Sequence, residues 1–477
     1  MDTNAANQVP HVRPFSRMPA RMDLVGKRVT VMGLGRFGGG VGVARFLVSR
    51  GADVLVTDLD PPERLADSLR SIDDHVRAGT ISLRLGEHNV SDFTTCDLVI
   101  ANPAVPKPWE NRFLRAASAA GVPVSTEIEL LVRGLAAHGD ATSATPIIAI
   151  TGSAGKSTTS NLIAHILSSS GIRTVLGGNI GGSLLDKLDA WTHTPPDVLV
   201  LELSSAMLHW LAPWSPTVGV VTNLSPNHLD WHGSLEHYRA SKQQILASQR
   251  PGDAAVLGPG VHDWPVNTGV DCRRVTEGSG VSGLQLLGRH NALNAAVAVE
   301  GVLALADLAT RSPARAAPLQ AITRASAEHA ARSCPALTHR LAPVADVRGV
   351  SYVNDSKATT PESTLLALDA LRDPRMGLTR IHLIAGGYDK GSDLSPIGCL
   401  APELAGLYTI GKTGPAIDAA AAGKSLPCGD LTTAVATAAK RARPGDCVLL
   451  STACASWDQF INYEQRGEQF AQLVRGL

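Results

Sequence analysis

The chain has 477 residues, 44% of them hydrophobic and 18% charged, which suits about three globular domains able to bury sizeable cores. Its 43 basic and 43 acidic residues cancel, so no net field would draw nucleic acid or an anionic membrane surface, and neither is expected as a partner. No uninterrupted apolar run approaches the roughly 18–20 residues that span a bilayer. Seven scattered cysteines without a CxxC pair argue against a disulfide framework or zinc site and for a reducing compartment, the cytoplasm.

In chain order, residues 1–22 carry arginines but no apolar core, which excludes a secretory signal. The arginines leave a transit peptide open, and a disordered lead-in is the expectation. Residues 23–136 read as a first α/β unit. KRVTVMGLGRFGGG is a strand, a turn with Gly33, Gly35 and Gly38, and the start of a helix over 41–50. A second strand over 52–57 runs into Asp58, twenty residues beyond Gly38. This is a dinucleotide fingerprint with its ribose-binding acid, or a similar turn that holds another nucleotide or none. CDLVIANPAVP (96–106) is another strand entering a loop with two prolines, where such sheets contact ligands.

A small, polar stretch over 135–146 reads as a linker. Residues 147–159, IIAITGSAGKSTT, then form an uncharged strand, a glycine-rich turn and a helix opening at Lys156. Gly152 and Gly155 let several N–H groups converge on one phosphate, Lys156 brings a cation to the outer phosphates, and the Ser157 hydroxyl can ligate Mg²⁺. Ile150 stands where the general phosphate-loop pattern has its first glycine, so the loop is TGxxGKST. A nucleoside triphosphate site is the reading, with a chance Lys-Ser after a glycine turn as the bland alternative.

The βα alternation that follows points to a mostly parallel sheet. A strand over 197–202 ends in Glu202, which can bind Mg²⁺ or simply cap the next turn. A strand over 218–225 leads into PNHLDWHG, placing His228 and Asp230 at the same edge as turn residues or ligands. Residues 252–288 show short strands at most. A helix over 288–305 sets Asn291 and Asn294 one turn apart, able to read a base or cap the helix. Residues 313–332 are alanine-rich and helical. A third unit from about 337 has strands in 350–364, 381–391, 407–411 and 447–453, with Asp355, Lys357 and Thr359 close together after the first. A closing helix is expected from near Ser456, its Trp457, Phe460, Tyr463 and Phe470 more readily core than ligand-facing.

These motifs, in this order, resemble the Mur ligases, ATP-dependent amide-forming enzymes of peptidoglycan synthesis. The segments that carry the resemblance are TGSAGKSTT, GGNIG (177–181), LELSS (201–205), TNLSPNHLDWHGSLEHYRASK (222–242), GRHNALNA (288–295), THR (338–340), NDSKAT (354–359), GGYDKG (386–391) and LSTACASWDQFINYEQRGEQF (450–470). The last points to the glutamate-adding branch. MGLGRFG and ANPAVP match more loosely.

The resemblance implies an α/β fold of three domains: a Rossmann-like domain over 23–136 holding UDP, a central P-loop ATPase with a mostly parallel sheet over 137–336, and a Rossmann-like glutamate domain over 337–477. It implies that the Gly33–Gly38 turn serves UDP rather than NAD, with Arg36, Phe37, Asp58, Asp60, Asn102, Asn179 and His228 on the UDP substrate. ATP falls to Gly152, Ser153, Ala154, Gly155, Lys156, Ser157 and Thr158, with Asn291, Asn294, His339, Arg340, Asp355 and Lys357. Thr359, Lys390, Ser456, Trp457 and Tyr463 fall to glutamate. Lys156, Glu202, His228 and Lys242 are implied as catalytic. Ser157, Glu202, His228 and Lys242, the last as a carbamate, are implied as ligands of Mg²⁺, two ions in all. The implied substrates are UDP-N-acetylmuramoyl-L-alanine and D-glutamate, joined through an acyl phosphate by a cytoplasmic monomer. An L-glutamate branch is the alternative within the family. An NAD-dependent oxidoreductase is the alternative outside it, and a nucleotide-binding regulator is the non-enzyme one.

Overall fold

The computed structural model describes residues 23–36, 38–137, 145–211, 213–310, 317–372, 377–389 and 391–477. The expected lead-in over 1–22, most of the expected linker, Phe37 and Lys390 lie outside these. Three sheets organise the described chain. The first comprises β1 (Arg28–Met32), β2 (Asp53–Asp58), β3 (Ile81–Leu85), β4 (Leu98–Ala101) and β5 (Val124–Ser125), all parallel in the order β3-β2-β1-β4-β5. The second comprises β6 (Ile147–Thr151), β7 (Thr174–Gly178), β8 (Val198–Glu202), β9 (Val218–Val221), β10 (Ala254–Leu257) and β11 (Asp271–Arg274), all parallel in the order β11-β10-β9-β6-β8-β7. In both, the chain reverses its direction of travel across the sheet beside the first strand, which opens a crevice at that strand's carboxyl end. Those crevices hold the two glycine turns.

The third sheet comprises β12 (Ala342–Val347), β13 (Val350–Asn354), β14 (Ile381–Gly386), β15 (Gly406–Ile410), β16 (Leu426–Gly429) and β17 (Cys447–Leu450), in the order β12-β13-β17-β14-β15-β16. Only β12, a half-exposed edge strand, runs antiparallel to its neighbour. The central strands β6, β8, β9 and β14 are buried along their whole length. That fits their nearly uninterrupted Val, Ile and Leu, since parallel strands are covered on both faces. The helix Lys156–Ser169 covers β6 with Leu162, Ile163, Ile166 and Leu167, all at helical spacing and fully buried.

The chain falls into two compact units, one running through Ser279 with Leu293–Ala331 added, the other Gly280–Ala292 with Arg332–Leu477. The first unit contains both the first and second sheets over a continuous core that joins Val31, Val54 and Ile128 to Leu184, Leu188 and Leu199. Trp231 Nε1 donates to Pro103 O at 3.1 Å and Lys107 N to Trp231 O at 3.2 Å, tying the β4 loop to the segment after β9. The helix Arg289–Ala309 has the length and apolarity to cross a membrane. From Leu293 onward it packs Val297, Val299, Val302 and Leu305 into the interior instead. Glu300, which interrupts it, pairs with Arg273 and Arg324.

One expectation needs correction. The closing helix is Tyr463–Arg475, not one from Ser456, because Asn462 takes an extended conformation and caps it by accepting from Gln465 N at 2.8 Å. The aromatic series is therefore divided: Phe470 is buried, whereas Trp457 is 47% exposed on the turn before the helix. The helical reading of 313–332 holds for its described residues, in Ala317–Gln320 and again in Arg324–Ser333.

Candidate active site

In the first unit, the β1 turn is built around Asp58. One carboxylate oxygen accepts from Gly35 N at 3.0 Å and the other from Asp60 N at 2.9 Å. Asp58, at the end of β2, thus shapes the neighbouring strand's glycine turn. Asp60 is drawn to Arg64 at 3.2 Å. Asn102 follows β4 and lies against the same turn, its Oδ1 turned back to Ala104 N at 2.9 Å. Arg36 is exposed at the rim.

The phosphate loop after β6 is held from β9. Asn223 grips Ala154 from both sides: its Oδ1 accepts from Ala154 N at 2.9 Å and its Nδ2 donates to Ala154 O at 3.1 Å. Thr222 Oγ1 donates to Ala154 O at 2.6 Å. Ser153 accepts from Ser225 N at 2.9 Å and lies 2.9 Å from the Tyr238 hydroxyl. Gly155 has φ +79°, and a Cβ there would meet Asn294, 3.0 Å from its Cγ and Nδ2 and closer still to Oδ1. The loop can close under Asn294 only because residue 155 has no side chain. Helix Lys156–Ser169 starts without a side-chain cap at Gly155, which leaves its first N–H groups directed at the loop.

Around this loop the structure gathers Lys156, Glu202 and Lys242. Lys156 Nζ donates to Gly152 O at 3.0 Å, and Lys242 Nζ donates to the same carbonyl at 2.7 Å. Two amino groups share one acceptor. Lys242 is 1% exposed, and its burial, then the nearby Lys156, hold its pKa well below the ordinary lysine value against the pull of Glu202. Glu202 is likewise buried; Asn179 Nδ2 donates to Oε1 at 2.8 Å, while Oε2 is buried without a hydrogen-bond partner. His228 stands in the left-handed region at φ +51°, opening the short helix Leu229–His232. Desolvation of its inner side, then Lys156, lowers its pKa, with Asp230 opposing and Lys242 adding to the effect.

Among the described residues no three His, Cys, Asp or Glu side chains converge as a closed metal cage requires. The donors suit a different arrangement. A carboxylate oxygen lacking a partner and the buried Ser157 at a helix start are hard oxygen ligands, and Mg²⁺ takes few of these from protein and the rest from phosphate and water.

In the second unit, His339 is buried, and its Nδ1 lies 3.1 Å from Asn354 Nδ2, which fixes the remaining proton on Nε2. Asp355 accepts from Leu341 N at 3.2 Å and from Ser451 Oγ at 2.8 Å, while burial pushes its pKa up to about 6. Lys357 lies over the Tyr463 ring at 5.3 Å. Asn291 turns its amide to Leu287 O at 2.7 Å, so within this unit it closes its own helix start. Thr359 lines a small recess with Tyr388, Asp389, Ser392, Thr413 and Cys454. Ser456 is buried beside this region, and Trp457 stacks at 5.5 Å on exposed Tyr388.

Residues 27–126 match the Mur ligase MurD-like N-terminal domain, 150–264 the Mur ligase middle domain and 339–454 the Mur ligase glutamate ligase domain. A curated protein of Pelotomaculum thermopropionicum named UDP-N-acetylmuramoylalanine–D-glutamate ligase is 37% identical, covering 95% of this chain and 99% of its own. The chain belongs to the Mur ligase family. An Anaeromyxobacter dehalogenans protein of the same name is 35% identical, again over 95% of this chain and 99% of its own. The crystal structure of the MurF ligase from Thermotoga maritima in complex with ADP matches at 16% identity, with a TM-score of 0.55 over 96% of this chain and 100% of that one, a likeness of fold. The oxidoreductase alternative for the Gly33–Gly38 turn finds no counterpart among these relatives.

The hydrogen bonds also bring forward residues that the sequence alone did not single out. Thr222 and Asn223 stand inside TNLSPNH, which was read only for His228, and Arg466 stands inside EQRGEQF. A polar pair directly after a buried strand at the phosphate-loop edge was the available signal for Asn223. Arg466 offered none, since an arginine in an amphipathic helix ordinarily faces water.

Proposed function

We propose that this Mur ligase joins D-glutamate to UDP-N-acetylmuramoyl-L-alanine with hydrolysis of ATP, in the cytoplasm, as a monomer acting in peptidoglycan precursor synthesis. The observation that carries the reading is the convergence of Lys156, Lys242 and the buried Glu202 on one phosphate loop, in a chain matched along nearly its whole length by relatives of that name. Residues 23–136, 137–336 and 337–477 are the respective UDP, ATP and glutamate domains.

A carboxylate and an amine do not condense at neutral pH until the carboxylate gains a leaving group. Transfer of the γ-phosphoryl group gives an acyl phosphate, and attack by the glutamate nitrogen expels phosphate. Phosphate oxygens and a substrate carboxylate repel one another, so cations must be in place before they meet. Lys156, at the start of its helix with Nζ donating to Gly152 O, is the cation for the outer phosphates; the N–H groups at the uncapped start of helix Lys156–Ser169 would take the inner ones, while Asn223 holds the loop through Ala154. Mg²⁺ supplies charge neutralisation, with Ser157, Glu202, His228 and a carbamylated Lys242 as the residues that would hold it. A lysine cation cannot ligate a metal. Burial that favours the neutral amine of Lys242 supports the carbamate, because only the free amine attacks CO₂. In the second unit, the Thr359 recess, with buried Ser456 and exposed Trp457 next along the chain from Cys454, supports a glutamate subsite, to which the family pattern also assigns Tyr463 and Lys390.

The test is phosphate release from ATP with UDP-N-acetylmuramoyl-L-alanine and Mg²⁺, comparing D-glutamate, L-glutamate and no amino acid. Release with D-glutamate alone is expected. Release with L-glutamate alone moves the chain to another branch of the family, and release with neither overturns the substrate assignment.

A further inference from the structure

Arg466 has no exposed surface, yet among the described residues no carboxylate lies within ion-pair distance of it. Its guanidinium is spent on neutral acceptors: Nε donates to Ser356 Oγ at 2.9 Å, Nη2 to Ser356 O at 2.7 Å and Nη1 to Cys454 O at 3.1 Å. Those acceptors belong to the loops that follow β13 and β17, adjacent strands of the third sheet. The loop after β14, the next strand, closes on the same group, for a Cβ at Gly387 would stand 3.4 Å from Nη1. One buried cation therefore lies beneath the carboxyl ends of three neighbouring strands.

Burying an unpaired charge costs several kcal/mol as a rule, and a chain has two ways to offset it: satisfy every donor, or receive an anion. The three neutral acceptors do the first only in part. Asp458 attracts the guanidinium from a distance, but its Oδ2 is already engaged by Lys412 N at 2.9 Å. Burial lowers the Arg466 pKa to about 10, so it stays charged at neutral pH. The loops whose carbonyls it holds carry Thr359 and Ser456, two of the residues read above as the glutamate subsite.

We infer that Arg466 is a specificity-determining cation of the amino-acid subsite, a positioning residue whose charge, held between the loops after β13 and β17, selects a dicarboxylate over its neutral amide analogue. This rests on the glutamate reading of that subsite and deepens it. Arg466 does not touch the substrate. It favours a second negative charge in the recess above because a low-dielectric interior transmits its field with little screening. Glutamine, which matches glutamate in shape and lacks only that charge, is the discriminating competitor.

The experiment compares wild type, Arg466→Gln and Arg466→Lys in the phosphate-release assay, with kcat/KM measured for glutamate and for glutamine and KM measured for ATP. Arg466→Gln sets an amide N–H where Nε stands, and so keeps a donor for Ser356 Oγ while removing the charge. It is expected to lower the glutamate-to-glutamine ratio about tenfold or more, chiefly through the glutamate KM, with the ATP KM unchanged. Arg466→Lys keeps the charge but loses the planar fork, so its ratio is expected to stay within about threefold of wild type although its melting temperature falls. A ratio unchanged in the Gln variant, or lost equally in both variants, makes Arg466 a loop fastener only and overturns the inference. Should Arg466→Gln not fold, the lysine variant decides alone, because loss of discrimination with charge retained contradicts it. A wild type that releases no phosphate with glutamate fails the subsite reading itself, which is a different result from an active wild type with indifferent variants.

Discussion

Substituting Gly155 by alanine tests whether the phosphate loop is shaped by its contact with Asn294 or by local backbone preference alone. At φ +79° an L-residue pays about 1–2 kcal/mol for the left-handed conformation. The new Cβ would also stand 3.0 Å from both Cγ and Nδ2 of Asn294, so rotating the amide brings no relief and the side chain must shift as a whole. Overpacking of this kind costs ~1–3 kcal/mol at a buried site, and Asn294 is 7% exposed. The stiffer unfolded chain returns ~0.4–1 kcal/mol. The expected net destabilisation is about 2–3 kcal/mol. Asn294→Ala removes the obstructing amide, so the double variant should recover the steric part and show a coupling of about 1–3 kcal/mol. Urea unfolding followed by tryptophan fluorescence reads the relevant unit, since six of the seven tryptophans lie in it. Additivity within about 0.5 kcal/mol would refute the steric argument and leave only the backbone term.

Two further outcomes follow from buried carboxylates. Burial raises the Asp355 pKa in the fold to about 6, from about 3.9 for an ordinary aspartate, so its contribution to stability is complete below about pH 4 and lost as pH rises through 6. Asp355→Asn, which can keep the acceptor for Leu341 N, should remove about 3 kcal/mol of that decline between pH 4 and 8; parallel stability profiles for the two proteins would contradict this. Glu202→Gln retains an acceptor for Asn179 but no charge at the position of the unpartnered Oε2. Thermal melts should then show an unaltered or higher melting temperature without ligand and loss of the Mg²⁺-dependent part of the shift produced by ATP; a full-sized shift would remove Glu202 from the metal site.

Much of this molecule was legible in its sequence. The strand, glycine turn and helix of residues 147–169 are contiguous, and what makes a phosphate loop is local: uncharged β-formers, glycines where φ turns positive, and a lysine at the helix start. The same locality located β1, β2 and β4 with their turns, and placed Glu202 at the end of a buried strand. Helix starts were less legible where a cap competed with periodicity, as Asn462 did against a helix from Ser456.

The tertiary structure decided what each residue does with its charge. Asp58, spaced as a ribose-binding acid, instead accepts from Gly35 N, because β2 lies directly beside β1 and their carboxyl ends meet. Lys242 reads as a surface lysine on a polar helix, and becomes a buried amine only because that helix, Leu235–Ala247, packs where the β6 loop can offer Gly152 O. Arg466 lies 110 residues beyond Ser356, its main acceptor. Composition and spacing report on neighbours within about a helical turn. Strand order brings distant segments together, and with them come the burial and dielectric that set pKa and charge, so a side chain's chemistry here was settled by the fold rather than by its own stretch of chain.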